Sequence, residues 1–363
     1  MQLNLPNTPV HDIQIQKREH DLVIATHGRS FWVLDDLTPF YDAQFPLTKT
    51  ACYLFKPDDA MRTNGGSYFY EGMQEGQNAP NGVAVNYFLK NKPKKELKLI
   101  FFTEKGDTVK SLSSTKKENG EPIKISKDFF EDKTIPRSGV LPADSGLNCM
   151  HWDMRYPDAT KLEKNSPMWG GSTIGPKAVP GNYIVKLFIG DSLITQQPFV
   201  IKEDPRYHVT QPELQEQLDL LLKINAKLSE THKAINDLRS IRNQINSYNG
   251  SIEDSSFASQ LKKISKPILD SLLGIEEALV QFHAVAGQDL LNFPIKLNNK
   301  LASIGSAVSS IDSAPTKQSY VAFADISALI DVQLSKLQKI KTEQIPAFNE
   351  KAKQKTVDPV KIK

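Results

Sequence analysis

Residues 175–210 read GPKAVPGNYIVKLFIGDSLITQQPFVIKEDPRYHVT, and this stretch divides the chain into two kinds of structure. Pro180-Gly181 is a turn, after which Tyr183, Val185 and Leu187 alternate with Ile184, Lys186 and Phe188. Period-two alternation marks a strand with at least one buried face. Gly190-Asp191 has the composition of a two-residue hairpin turn, so 193–201 is the returning strand. After Asp204-Pro205 the pattern changes. Thr210 and Glu213 have capping-box spacing, and a long helical repeat follows. Nearly everything before the hairpin reads as β and nearly everything after it as α, so the expected fold class is α+β in several domains.

Working back to the start, 10–15, 21–26 and 30–34 are three short strands joined by tight polar turns. An antiparallel meander of this kind is one blade of a propeller or a piece of another sheet. Three strands cannot bury both faces unaided. Residues 41–82 form a connecting segment with two short strand candidates, 51–55 and 67–70. From Val83 a sandwich pattern sets in, with strands at 83–89, 97–102, 108–112 and 147–154 joining the hairpin. Residues 116–142 are polar, charged and proline-bearing, hence a long surface loop. Trp152 is the aromatic expected at the sandwich core.

On the helical side, Leu214, Leu218, Leu221, Leu228, Ile235, Leu238 and Ile245 form one stripe. Phe257, Leu261, Ile264, Ile268, Leu272, Ile275 and Leu279 form a second, in which Pro267 predicts a kink or restart. Leu297 to Val308 give a shorter third helix, and Thr316 caps a fourth. This pattern predicts an antiparallel four-helix bundle able to fold from 209–357 alone. The domains expected are therefore a blade remnant at 1–40, the connector at 41–82, an immunoglobulin-like or fibronectin-like sandwich at 83–204, and the bundle at 209–357.

Several runs resemble one family. DLVIATHGRSFWVLDDLTPF (21–40) looks like the last blade of the large BNR-repeat, sortilin-type β-propeller proteins, which are often labelled glycosyl hydrolases by analogy with xyloglucanase-type enzymes. NGVAVNYFLK (81–90), SGLNCMHWDMRYPDA (145–159), KLNNKLASIGSAVSSIDSAPTKQSYVAF (296–323) and QIPAFN (344–349) are similar to that family's C-terminal region. The Asp-box repeats S-x-D-x-G-x-T-W are absent, as are the blades that carry the paired catalytic carboxylates. The resemblance implies that Met1 is an internal start and that the missing N-terminal propeller blades are this chain's partner. It also implies periplasmic or secreted location, although MQLNLPNTPVHD has neither the basic head nor the apolar core of a signal peptide.

Composition narrows the alternatives. The 363 residues contain 45 basic and 42 acidic side chains, a net charge of +3 that gives no reason to expect nucleic acid as partner. No apolar run approaches the roughly 18 residues of a membrane span. Cys52 and Cys149 lack both C-x-x-C and zinc spacing, and read as two separate thiols.

The residues with a conceivable chemistry are few. Asp35 and Asp36, with His27 assisting, are the only candidates for the carboxylate pair of a glycosidase. Adjacent strand residues point to opposite faces, so a hydrogen-bonded turn with Arg29 pairing an aspartate is the better reading. His151, Asp153 and Arg155 share a strand face but make a poor ligand set. Tyr68, Tyr70 and Trp169, with Phe69, are the aromatics that can stack on a sugar ring. Glu71 and Glu75 lack the ladder of a calcium loop. No cofactor motif and no metal site is present. The expected function is that of a non-catalytic structural and interaction portion, with a protein or polysaccharide ligand. The alternatives are part of a glycoside hydrolase whose catalytic blades lie elsewhere, or a carbohydrate-binding module.

Overall fold

A computed structural model describes residues 5–41, 50–63, 82–115, 140–163, 166–252, 255–353 and 360. The strand candidate at 67–70, the aromatics Tyr68, Phe69 and Tyr70, Glu71, Glu75, and all but the last three residues of the loop expected at 116–142 lie outside them. The architecture is α+β, with antiparallel sheets followed by a C-terminal helical region. It divides into two compact units, Met1–Arg155 with Pro180–Arg206, and Tyr156–Val179 with Tyr207–Lys363.

In the first unit, β1 (Val10–Ile15), β2 (Leu22–Thr26) and β3 (Phe31–Leu34) form an antiparallel sheet in the order β1-β2-β3. A single helical turn, α1 (Thr38–Tyr41), follows. Three strands, β4 (Cys52–Leu54), β6 (Val83–Leu89) and β9 (Gly146–Trp152), make a second sheet in the order β4-β6-β9. Five more, β5 (Ala60–Arg62), β7 (Leu97–Thr103), β8 (Thr108–Ser113), β10 (Gly181–Ile189) and β11 (Ser192–Glu203), make a third in the order β5-β11-β10-β7-β8. The β10–β11 hairpin turns at Gly190-Asp191, where Gly190 takes a φ of +63° that glycine adopts without strain.

Alternation decides which side chains go inside. Val83, Val85, Tyr87 and Leu89 of β6 are buried while the residues between them are half-buried, and Leu97, Leu99 and Phe101 of β7 repeat the pattern. The second and third sheets meet through these faces. Trp152 stacks on Phe101 at 4.3 Å between ring centroids, and Phe199 and Tyr183 meet its edge at 6.2 and 6.1 Å. The segment read as a connector contributes structure to both sheets: β4 pairs with β6, and β5 adds to β11 in parallel. Cys52 and Cys149 stay free. Their strands flank β6 on opposite sides, about 9–10 Å apart, beyond disulfide reach.

The second unit is built on α2 (Gln211–Ser251), whose 41 residues span about 60 Å. Its first turn is fixed by Thr210, whose N–H donates to the Glu213 carboxylate at 2.8 Å. The helices α3 (Ser255–Leu279), α4 (Leu297–Val308) and α5 (Lys317–Lys339) follow, and one π turn (Ile340–Gln344) leads into α6 (Ile345–Ala352). Pro267 does not break α3. It lies on the exposed face, where water can pair with the carbonyl left without an N–H partner. Tyr156–Val179, which the sequence places inside the sandwich region 83–204, is grouped with these helices: Ala159 is fully buried in their core, and Leu162 and Met168 pack against it.

Candidate functional site

β3 ends at Leu34, so Asp35 and Asp36 lie just beyond the pleated strand. Asp36 adopts a left-handed φ of +57°, a conformation that aspartate tolerates better than most residues. Its carboxylate is occupied on both sides: Oδ1 accepts the Thr38 N–H at 3.0 Å, and Oδ2 accepts the Asn86 side-chain amide of β6 at 2.8 Å. Its own N–H donates to Asp21 Oδ1 at 3.1 Å. Asp36 therefore ties the end of the first sheet to the second. Asp35 accepts no hydrogen bond from the described residues. Partial burial holds its carboxyl above the ordinary value, with Asp21 and Asp36 adding to the effect and His151 opposing it.

His27 is not brought to these carboxylates. It follows β2, at the opposite end of β3 from Asp35, and four strand residues span roughly 13 Å. Its ring stacks on His11 at 4.9 Å. Arg29 pairs with neither aspartate; its carbonyl accepts the Trp32 indole N–H at 2.9 Å. The imidazole that does act on Asp35 is His151 of β9, which lies 3.9 Å from Cys149 Sγ. Burial lowers the His151 pKa, against the pull of Asp36 and Asp35. Packing and the nearby Asp36 push the Cys149 thiol up to about 11, so it is not poised as a nucleophile.

The run from His151 to Arg155 does not remain one strand. β9 stops at Trp152, and Met154 takes a φ of +58°. The turn is closed by the Trp152 indole donating to the Arg155 carbonyl at 3.0 Å and by the Arg155 N–H donating to Asp153 at 3.1 Å. Asp153 and Arg155 also form an ion pair at 3.9 Å. Met150, Trp152 and Met154 are buried.

A cleft of about 1070 Å³ opens near Thr38 and is lined by His20, Tyr41, Asp58, Asp59 and Lys202 among others. Its carboxylates are engaged: Asp58 accepts the Thr38 hydroxyl at 2.7 Å, and Asp59 pairs with Lys202 at 2.8 Å. Among the described residues no group of three or more His, Cys, Asp and Glu side chains is placed to hold a metal, and no helix is long and apolar enough to cross a membrane.

Of the sugar-stacking candidates, Trp169 belongs to the helical unit. Asn299 holds its main chain from both sides, accepting the Trp169 N–H at 2.7 Å and donating to its carbonyl at 2.9 Å. The residue remains 47% exposed. An anchored main chain with a half-exposed indole leaves the ring accessible for stacking on a sugar.

Two polar clusters in the helical unit escape a reading by sequence. Glu276 is buried and pairs with Arg239 at 2.6 Å and with Arg242. His232 of α2 is only 1% exposed. The signal was available, since His232 lies four residues after Leu228 and three before Ile235, on the apolar stripe itself.

No protein-family model matches this chain, and no curated protein is significantly similar to it.

Proposed function

We propose that this chain is the non-catalytic C-terminal portion of an exported BNR-repeat, sortilin-type propeller protein, acting as a structural and interaction module. In this reading β1–β3 is the last blade, the two facing sheets are an immunoglobulin-like sandwich, and the helices are an antiparallel four-helix bundle. The observation that carries it is the apolar character of both faces of β1–β3. Strand register puts Ile13, Ile15, Leu22, Ile24, Trp32 and Leu34 on one face, and Val23, Ala25, Phe31 and Val33 on the other, where Asp12 and Gln14 make only the β1 edge polar. Ile13 is 56% exposed and Phe31 73% exposed. A sheet apolar on both faces belongs between two layers, as a blade does between its neighbours. The resemblance of 21–40 to a last blade points the same way, and export follows from that kinship.

The test is association with a separately produced propeller of this type that lacks its last blade. Binding that is lost in Ile13→Glu and Phe31→Glu supports the proposal; no association by sedimentation would sink it. On a panel of polysaccharides this chain should give no turnover. Cleavage abolished by Asp35→Asn would favour the hydrolase instead.

A second reading, carbohydrate binding, is favoured by the half-exposed Trp169, whose main chain Asn299 holds. Binding on the same panel that disappears in Trp169→Ala would support it.

A further inference from the structure

The described residues of Tyr156–Val179, 156–163 and 166–179, are held to the helices as a peptide is held in a groove. The segment's two arms pair with each other, Tyr156 N–H to the Pro176 carbonyl at 2.9 Å and Ala159 N–H to the Thr173 carbonyl at 2.8 Å. The closure needs glycine at 175, because a Cβ there would lie 2.0 Å from the Tyr156 carbonyl oxygen. Beyond the arms, the main chain is read by polar side chains. Asn225 donates to the Pro157 carbonyl at 3.2 Å, and Ser229 Oγ accepts the Thr160 N–H at 3.0 Å. His232 Nδ1 meets the Thr160 carbonyl at 2.6 Å. Asn236 bonds twice, donating to the Lys161 carbonyl at 3.1 Å and accepting the Glu163 N–H at 3.0 Å. Positions 225, 229, 232 and 236 follow the four-three-four spacing of a single helix face. One stripe of α2 thus recognises an extended chain through its backbone, while Ala159, Leu162 and Met168 anchor it by packing on the helical core.

His232 is the titratable member of that stripe, and its protonation state is fixed by its partners. A carbonyl oxygen only accepts, so Nδ1 carries the proton and Nε2 is a bare acceptor. Nε2 faces the Asn298 side-chain amide nitrogen at 3.2 Å. Asn298 cannot turn its oxygen toward the ring without loss, because that oxygen accepts the Asn299 N–H at 2.7 Å. A second proton on the ring would set N–H against N–H inside a buried site. The surrounding charges do not help. Arg239, two turns along α2, opposes a cationic ring, and its own charge is met by Glu276 of α3. On the strap, Asp158 and Lys161 face each other at 4.0 Å, and α4 offers the neutral Asn298 and Asn299.

We propose that this face of α2 is a receptor groove for an extended main chain, and that protonation of His232 is the event that releases the strap from it. Burial and Arg239 lower the ring's pKa in the closed state, against the Thr160 carbonyl. The sign follows from that direction. Closure has its full strength above the ordinary imidazole value of about 6.5, and weakens as pH falls below it toward the lowered value.

Hydrogen exchange on the full chain tests this, corrected for the intrinsic pH dependence of exchange. The Thr160, Glu163 and Trp169 amides should lose protection below about pH 6.5, by up to about tenfold per pH unit, while β10 and β11 amides hold theirs. His232→Gln keeps a donor and an acceptor but cannot titrate, so its strap should be indifferent to pH over this range. Asn298→Asp places a carboxylate against Nε2 and should keep the strap closed in acid. A wild-type ring that titrates by NMR while the three amides stay protected overturns the proposal. So does an undiminished acid response in His232→Gln. Should the Gln variant fail to fold, an unchanged acid response in Asn298→Asp overturns it equally.

Discussion

Trp152 sits where Phe101, Tyr183 and Phe199 converge, with 1% of its surface accessible and its indole N–H spent on the Arg155 carbonyl. Truncating it removes a large apolar volume that its neighbours cannot refill. Trp152→Ala should cost about 3–5 kcal/mol in chemical denaturation. Trp169→Ala, which deletes a half-exposed ring, should fall within about 0.5 kcal/mol of the parent protein. At the end of β11 a different force operates. Asp204 is buried against Arg206, whose Nε donates to Oδ1 at 2.9 Å, and these bonds hold the carboxyl down at about 2. A depressed carboxylate contributes stability that is full above its ordinary value of about 3.9 and is lost as pH falls toward 2. Urea midpoints between pH 5 and pH 2 should therefore fall more steeply for the parent protein than for Asp204→Asn, and the two should converge in acid.

Element geometry makes two glycines behave oppositely. Gly82, at the start of β6, has a φ of +130°, and a Cβ there would approach the Trp152 carbonyl oxygen to 2.2 Å. Gly82→Ala should disturb the β6–β9 pairing and cost about 1–3 kcal/mol. Gly274 lies inside α3 with open space around it, so Gly274→Ala should raise stability by up to about 1 kcal/mol. Thermal melts of the two variants check both signs. The strap changes the expectation for the helices as a whole. A fragment covering 209–357 alone leaves Asn225, Ser229, His232, Asn236 and Asn299 without their main-chain partners and removes Ala159 from the core. It should melt lower and more broadly than the helices do in the full chain. Each lost bond contributes about 0.5–1.5 kcal/mol, and the unpaired buried groups add to that. Circular dichroism of the fragment, with and without a peptide of residues 156–179, would show the difference.

For the whole molecule, the sheet β1–β3 is the liability. Among the described residues its outer strands β1 and β3 each pair on one side only, and Ile13, Phe31 and Val33 are exposed apolar groups on its two faces. Such a surface drives self-association at working concentrations. Replacing Ile13, Phe31 and Val33 by Thr keeps β propensity while removing apolar area. The triple variant should sediment as a smaller species than the parent at equal concentration, with its main melting transition unchanged. A large fall in that transition would mean these side chains are buried in the native protein. The sheet is not detachable at every point, since Leu37 and Pro39 are buried and Asp36 bonds to Asn86. Among the described residues its hydrogen-bonded ties to the rest of the unit run through Asp36 and Thr38.

Local periodicity was enough to determine the strands at Val83–Leu89 and in the Gly181–Ile189 hairpin, the capped start of α2, and the change from β to α near Asp204. Each depends on residues a few positions apart, and a hydrophobic pattern repeats at the spacing of the element that buries it. Trp152 was legible as a core residue for the same reason. The candidate site was much less so. That His151 and not His27 acts on Asp35, and that Asp36 is held by Asn86, are matters of strands meeting across 50 or more positions, which no spacing rule encodes. Pro267 stayed within its helix because of the face it occupies, and the three-residue β5 lacks the length to show a period. The path of 156–163 and 166–179 was set by tertiary structure alone. An extended segment with little repeat of its own takes its shape from whatever can satisfy its backbone, and here that partner is a stripe of Asn, Ser and His on a helix distant in sequence.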